Sequence, residues 1–330
     1  MQHVRRKRQP PVADSACADN TEGDAMSTTS RLRGVLSPVL TPFRKDLGVD
    51  MPRFVEHCQW LVNSGVGLAF LGTNSEANSL TVAERLDMMD ALVASGIPPS
   101  LMMPGTGCCA FQDSVDLTRK AMALNCSGVL MLPPFYYNNV SDDGLFNSYS
   151  EIIQRVGSAS LRIYLYHIPP VAQVPLSLAL IERLVKAYPG IIAGIKDSGG
   201  DWSHTEALLR NFQSDTFDVF AGSEVFLLRI MRGGGAGCIT ATGNVNPAAI
   251  MDLYKNWQAA DADERQENIT RTRKTFEMIT MIPSMKACIA WKRGIPEWAT
   301  VRPPLVQAAP DKAKELYAAL DAIGFAMPGT

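Results

Sequence analysis

A chain of 330 residues, 46% hydrophobic and 19% charged, is long enough to bury a large core. Its formal net charge of −2 and pI near 6.1 give no basic footprint for nucleic acid or an anionic membrane surface, and no apolar run approaches the length that crosses a bilayer. Seven cysteines, at 17, 58, 108, 109, 126, 238 and 288, form no CxxC pair and no Cys/His ligand spacing, so neither a disulfide frame nor a zinc site is indicated and a reducing, cytoplasmic setting fits.

Residues 1–29 carry the basic cluster Arg5-Arg6-Lys7-Arg8, then Pro, Ser, Asp and Gly without an apolar core. They read as a disordered tail without the hydrophobic region of a secretory signal. Met26 is a possible alternative start of translation. From 30 to 260 short apolar strands alternate with amphipathic helices. The predicted strands are 34–43, 66–72, 101–107, 128–134, 162–169, 191–196, 217–222 and 237–243. The predicted helices between and after them are 51–64, 82–95, 111–125, 142–156, 177–187, 204–212, 224–231 and 247–259. Thr81 with Glu84 three residues on forms a capping box for the second helix.

Eight strand–helix units in about 225 residues match an α/β fold of the closed (β/α)8 TIM barrel type. An open doubly wound sheet would carry a Gly-rich dinucleotide turn after its first strand, where Pro38-Val-Leu-Thr-Pro42 stands instead. Residues 261–330 are helical, broken by a Pro-rich stretch at 301–305, and read as a C-terminal helical appendage.

In such a barrel the chemistry lies at the C-terminal ends of the strands. Those ends present Thr41, the turn Gly72-Thr73-Asn74-Ser75-Glu76, Tyr136-Tyr137-Asn138, Tyr166 and His167, Lys196 and Ser198, Gly222-Ser223-Glu224, and Thr240 to Asn244. His167 is the only histidine expected at this face, so no metal site is expected. Lys196 closes the run Ile191-Ile-Ala-Gly-Ile, which reads as a strand buried on both faces. There desolvation favours a neutral amine, whose natural target is a carbonyl. The alternatives are a lysine that snorkels to solvent or pairs with Asp197. Backbone N–H groups at 72–75 can hold a carboxylate without placing a charge near the lysine. Tyr166 can move a proton beside it, and the Thr73 hydroxyl can relay that proton to a second tyrosine.

From about Leu32 to Leu305 the chain resembles the pyruvate-dependent Schiff-base lyases of the dihydrodipicolinate synthase / N-acetylneuraminate lyase superfamily. The resemblance rests on GTNSE (72–76), PPFYYN (133–138), YLYHIP (164–169), GIKDSGGD (194–201) and AGSEVF (221–226). It implies that Lys196 forms an imine with pyruvate and that Tyr166 is the general acid/base. Thr73 and Tyr137 would complete the proton relay, with Tyr137 reaching into a neighbouring subunit of a homodimer or dimer of dimers. The N–H groups of Thr73 and Asn74 would hold the pyruvate carboxylate. Ser198, Gly222, Ser223, Glu224 and Thr240 are the remaining expected substrate contacts, and no metal or organic cofactor is implied.

Two departures bear on the second substrate. Asn74 and Ser75 replace the family's second hydroxyl residue and glycine. Val171 stands where dihydrodipicolinate synthases carry an arginine for that substrate's carboxylate. The stretch KDSGGD resembles the 4-hydroxy-2-oxoglutarate and 2-keto-3-deoxy sugar acid aldolases, so a small aldehyde or 2-oxo acid is the expected partner of pyruvate. Dihydrodipicolinate synthase itself is the alternative activity, and a non-catalytic barrel that binds a keto acid is the alternative of another class.

Overall fold

The computed structural model describes residues 31–329, and the tail expected at 1–29 lies outside the described residues. Seven strands form one parallel sheet: β1 (Gly34–Ser37), β2 (Gly67–Leu68), β3 (Val129–Met131), β4 (Ile163–His167), β5 (Ile192–Asp197), β6 (Asp218–Ala221) and β7 (Gly237–Ile239). Their order is β2-β1-β7-β6-β5-β4-β3, which leaves β2 and β3 as the outer two. Every strand is buried along its length, so the near-continuous apolar runs in the sequence are those of a sheet covered on both faces.

The predicted strand at 101–107 makes single parallel bridges only, from Met102 to Leu68 and from Gly105 to Leu130. Pro104 has no N–H to give to a ladder, and Gly105 and Gly107 lie where a Cβ would meet the backbone of Leu71 and Leu132. The segment is nonetheless bonded on both sides. Met103 and Gly105 donate to the carbonyls of Leu68 and Phe70 at 2.8 and 2.7 Å. Thr106 donates to Leu130 O at 3.0 Å, and Leu130 donates to Pro104 O at 2.9 Å.

Twelve helices accompany the sheet among the described residues: α1 (Met51–Asn63), α2 (Val82–Ala94), α3 (Phe111–Ala123), α4 (Asp142–Val156), α5 (Pro169–Ala172), α6 (Leu178–Ala187), α7 (Trp202–Phe212), α8 (Leu227–Arg232), α9 (Pro247–Lys255), α10 (Ala262–Phe276), α11 (Met281–Arg293) and α12 (Pro310–Ala322). Their starts follow from their first residues. Thr81 and Glu84 form the expected capping box on α2, while Ser141, Ser177 and Asp201 accept backbone N–H bonds at the starts of α4, α6 and α7. The region read as an appendage packs into the same compact unit, Leu32–Thr330. None of the helices among the described residues is long and apolar enough to cross a membrane.

The core has two parts. A large one lies between the sheet and its helices. A smaller inner cluster holds Leu36, Ala69, Met103, Leu130, Tyr164, Tyr166, Phe220 and Ile239, among others. One irregularity positions the chemistry inside it. Ile163 pairs with Ile192 but Tyr164 pairs with Gly194, so β5 gains one residue against β4. Tyr166 therefore lies opposite Lys196 instead of Ile195, and a one-residue shift of this kind decides which face a side chain joins. Gly194 is required there, because a Cβ would come within 2.6 Å of the Tyr164 ring and 2.4 Å of Asp218 O.

Candidate active site

Lys196 is 2% exposed, near the end of β5, with its Nζ 4.1 Å from the centre of the Tyr166 ring. Both alternatives raised by the sequence fail on geometry. The side chain does not reach solvent, and Asp197 turns its carboxylate to other partners. That carboxylate accepts Gly199 N at 2.9 Å, His204 Nδ1 at 3.0 Å and Thr205 Oγ1 at 2.7 Å. Burial pushes the Asp197 carboxyl up, but these donors outweigh it and hold it below the ordinary range.

The Tyr166 hydroxyl lies 3.5 Å from Thr73 Oγ1. Burial pushes this phenol up. The Lys196 charge and the hydroxyls of Thr73 and Ser198 pull it down further, so it ends below the ordinary phenol value. A phenol so placed can exchange a proton with a group bound on the lysine.

These residues open into a cavity of about 490 Å³. Thr73, Asn74, Tyr166, Lys196, Ser198, Gly222 and Ser223 all line it, so seven of the ten expected site residues meet at one mouth. Gly222 is there for a close approach, since a Cβ would fall within 2.0 Å of Ser198 Oγ and 2.7 Å of Asp197 O. The turn 72–76 is a 3₁₀ turn over Thr73–Ser75 with Glu76 left-handed at φ 55°. It is tied down by Thr41 Oγ1 donating to Ser75 O at 2.7 Å. Lys286 of α11, fully buried, pairs with Glu76 and donates to Thr300 O at 2.8 Å. Arg302 N donates to the second Glu76 oxygen at 2.9 Å.

Three expected residues stand elsewhere. Tyr137 is 73% exposed and lies edge-on to Tyr136, apart from the cavity wall. Glu224 and Thr240 are fully buried behind that wall and bond each other. Glu224 also accepts from Thr242 and from Arg273 Nη1, the latter at 3.0 Å. Together with Thr240 it thus serves as a foundation for Arg273.

The sequence reading set His167 alone at this face, and that is corrected: α7 starts at Trp202, early enough for its first turn to fold His204 onto His167, with ring centres 4.4 Å apart. His167, Asp197 and His204 bring potential ligand atoms within 4.8 Å of one another. Their lone pairs are largely in use, however. His167 Nδ1 accepts Leu176 N at 3.1 Å, and the Asp197 carboxylate carries three donors. Burial lowers His167 to about 4, while the bond to Asp197 raises His204.

Sequence reasoning missed the outer wall. Arg273, Lys274 and Glu277 from α10 and the turn after it line the cavity with Met281, Val225 and Phe226. In the sequence they are ordinary residues of an amphipathic helix, with no local signal that sets them at a cavity.

The chain is similar to known proteins over most of its length. The family model for the dihydrodipicolinate synthetase family matches residues 31–323. An uncharacterised DapA-like lyase of Chloroflexus aurantiacus is 32% identical over 90% of this chain and 98% of its own. A probable 2-dehydro-3-deoxy-D-pentonate aldolase of Escherichia coli is 26% identical over 89% of this chain and 98% of its own. The crystal structure of dihydrodipicolinate synthase from Agrobacterium tumefaciens superposes with a TM-score of 0.81 and 31% identity, covering 88% of this chain and 99% of that one. With the family model matching nearly its whole described length and a relative 32% identical across almost all of both chains, the chain belongs to the dihydrodipicolinate synthetase family.

Proposed function

We propose that this protein is a Schiff-base lyase that cleaves or forms a hydroxylated 2-oxo acid of the 4-hydroxy-2-oxoglutarate or 2-keto-3-deoxy sugar acid type. The observation that carries the reading is a buried lysine facing a tyrosine whose hydroxyl meets Thr73 across one cavity. In the cleavage direction the Lys196 amine adds to the 2-oxo carbon and water leaves, giving an iminium. The C3–C4 bond then breaks, with its electron pair drawn into the iminium as an enamine. Tyr166 takes the proton of the 4-hydroxyl as the aldehyde departs. Protonation of the enamine and addition of water return pyruvate and the free amine. The iminium is the electron sink, so the scheme requires no metal or organic cofactor.

Asn74, Ser198, Gly222 and Ser223 are assigned to substrate contacts, and the N–H groups of Thr73 and Asn74 to the pyruvate carboxylate. Glu224 and Thr240 are assigned a supporting place behind the wall. Tyr137, exposed beside Tyr136, is assigned to a neighbouring subunit's relay in a cytoplasmic homo-oligomer. We read 102–106 as the eighth stave of a (β/α)8 barrel spanning 30–260. Its bonds to both outer strands and Met103 in the inner cluster support this. On the same reading 261–330 is a C-terminal helical segment. Val171, 61% exposed, lines the cavity where an arginine would favour aspartate semialdehyde.

The test is a panel of aldehydes offered with pyruvate, read as product formed, and the reverse release of pyruvate from hydroxylated 2-oxo acids. The reading expects glyoxylate, glycolaldehyde or glyceraldehyde to outpace aspartate semialdehyde. Aspartate semialdehyde outrunning all of them would overturn the substrate assignment.

A further inference from the structure

The cavity is lined by two sets of residues of different character. One holds Lys196, Tyr166, Thr73 and Ser198, and the other, the outer wall, is built by α10 and the turn after it. On that wall Arg273 is held at two points. Nη1 bonds Glu224 Oε2 at 3.0 Å and Nε bonds Glu277 Oε1 at 2.8 Å. Glu224 is itself pinned by the hydroxyls of Thr240 and Thr242, so the guanidinium stands on a buried foundation. Neither bond uses Nη2, and no contact among the described residues engages it. Lys274, the next residue, lines the same cavity and enters no ion pair among the described residues. Glu277 is the one carboxylate on this wall, and its Oε1 is already given to Arg273.

We infer that Arg273 and Lys274 form an anion subsite that grips a carboxylate on the second substrate, in the same cavity as Lys196. The inference rests on the lyase reading above and narrows it to substrates with a carboxylate at each end, such as a hydroxylated 2-oxo diacid. A fixed guanidinium with Nη2 free to donate suits a carboxylate oxygen, and the adjacent ammonium adds a second charge. The subsite does the work of the cation absent at Val171 from a different element. An acceptor that ends in a hydroxymethyl group would leave Lys274 without a counter-charge and Nη2 of Arg273 without a charged acceptor.

The test compares glyoxylate with glycolaldehyde as acceptors for pyruvate, a pair of equal length that differ in carboxylate against hydroxymethyl. In wild-type protein kcat/KM is expected to favour glyoxylate. In Lys274→Met the ratio of the two is expected to fall about tenfold, chiefly through the KM for glyoxylate. Arg273→Gln is the second variant. Because it also leaves buried Glu224 short of a partner, its urea midpoint is measured alongside, and a folded variant is expected to show the same fall. An unchanged ratio in Lys274→Met and in folded Arg273→Gln would overturn the subsite. Borohydride trapping of pyruvate on wild-type protein separates the two levels. With trapping intact, an unchanged ratio sinks the subsite alone. Without trapping, the lyase reading falls and takes the subsite with it.

Discussion

Lys196 is neither exposed nor paired with its neighbour in sequence, and this isolation makes it chemically distinctive. Its Nζ stands 4.1 Å from the centre of the Tyr166 ring, and the Tyr166 hydroxyl lies 3.5 Å from Thr73 Oγ1. Tyr166→Phe removes the phenol to which the proposed scheme gives the proton transfer but leaves the amine, so reductive trapping of pyruvate is expected to persist while turnover falls about a hundredfold. Normal turnover in that variant would remove Tyr166 from the scheme. A second prediction at this scale concerns His57, buried under Trp298 and bonded through Nε2 to Asn244 Oδ1 at 3.2 Å. Burial, with the Arg293 charge nearby, lowers its pKa from 6.5 to about 3. Between those values the unfolded chain binds the proton and the folded chain does not, so this group costs stability as pH falls. Linkage puts the loss at about 2 kcal/mol between pH 7 and pH 5. In His57→Gln, which keeps a donor for Asn244, the difference between urea unfolding free energies at the two pH values is expected to shrink by about that amount. An equal difference in both proteins would contradict it. The lysine was legible in the sequence because an apolar run ended in it. The partners of Asp197 were not, because His204 reaches it only through the start of α7.

The elements place these groups, and two devices matter most. The irregular pairing of β4 with β5 sets Tyr166 beside Lys196. The buried pair of Lys286 and Glu76 fixes the turn 72–76 from α11. Breaking such a pair from one side strands a buried charge and typically costs about 3–5 kcal/mol. Lys286→Met is therefore expected to lower the urea midpoint strongly and to raise the KM for pyruvate. Adding Glu76→Gln is expected to recover part of the stability. A single variant as stable as the parent would show that the pair does not hold the turn. The strands and helices up to residue 260 were readable from apolar runs and caps, as at Thr81 and Glu84. The segment at 101–107 was read as a regular strand, but Pro104 and the tightly packed glycines keep it to single bridges. Likewise, Tyr137 could be picked out as a tyrosine at a strand end, whereas its exposure depends on a loop the sequence does not define.

For the whole molecule, the three C-terminal helices carry more than sequence patterning suggested. Helix α10 borders the cavity through Arg273 and Lys274, α11 anchors the turn through Lys286, and α12 buries Leu316 and Leu320 in the shared core. Arg273 and Glu224 are 49 residues apart, a separation at which no local pattern links them. The set around Lys196 was legible because its residues fall at strand ends, and the outer wall was not because tertiary packing alone brings it there. The central claim is that Lys196 bonds covalently to the keto carbon of pyruvate. It is tested most directly by incubating the protein with pyruvate, reducing with borohydride and locating the adduct by peptide mass spectrometry. The account predicts one reduced adduct on the peptide bearing Lys196, absent from Lys196→Ala. An unmodified Lys196, or an adduct on another lysine such as Lys274, would contradict it.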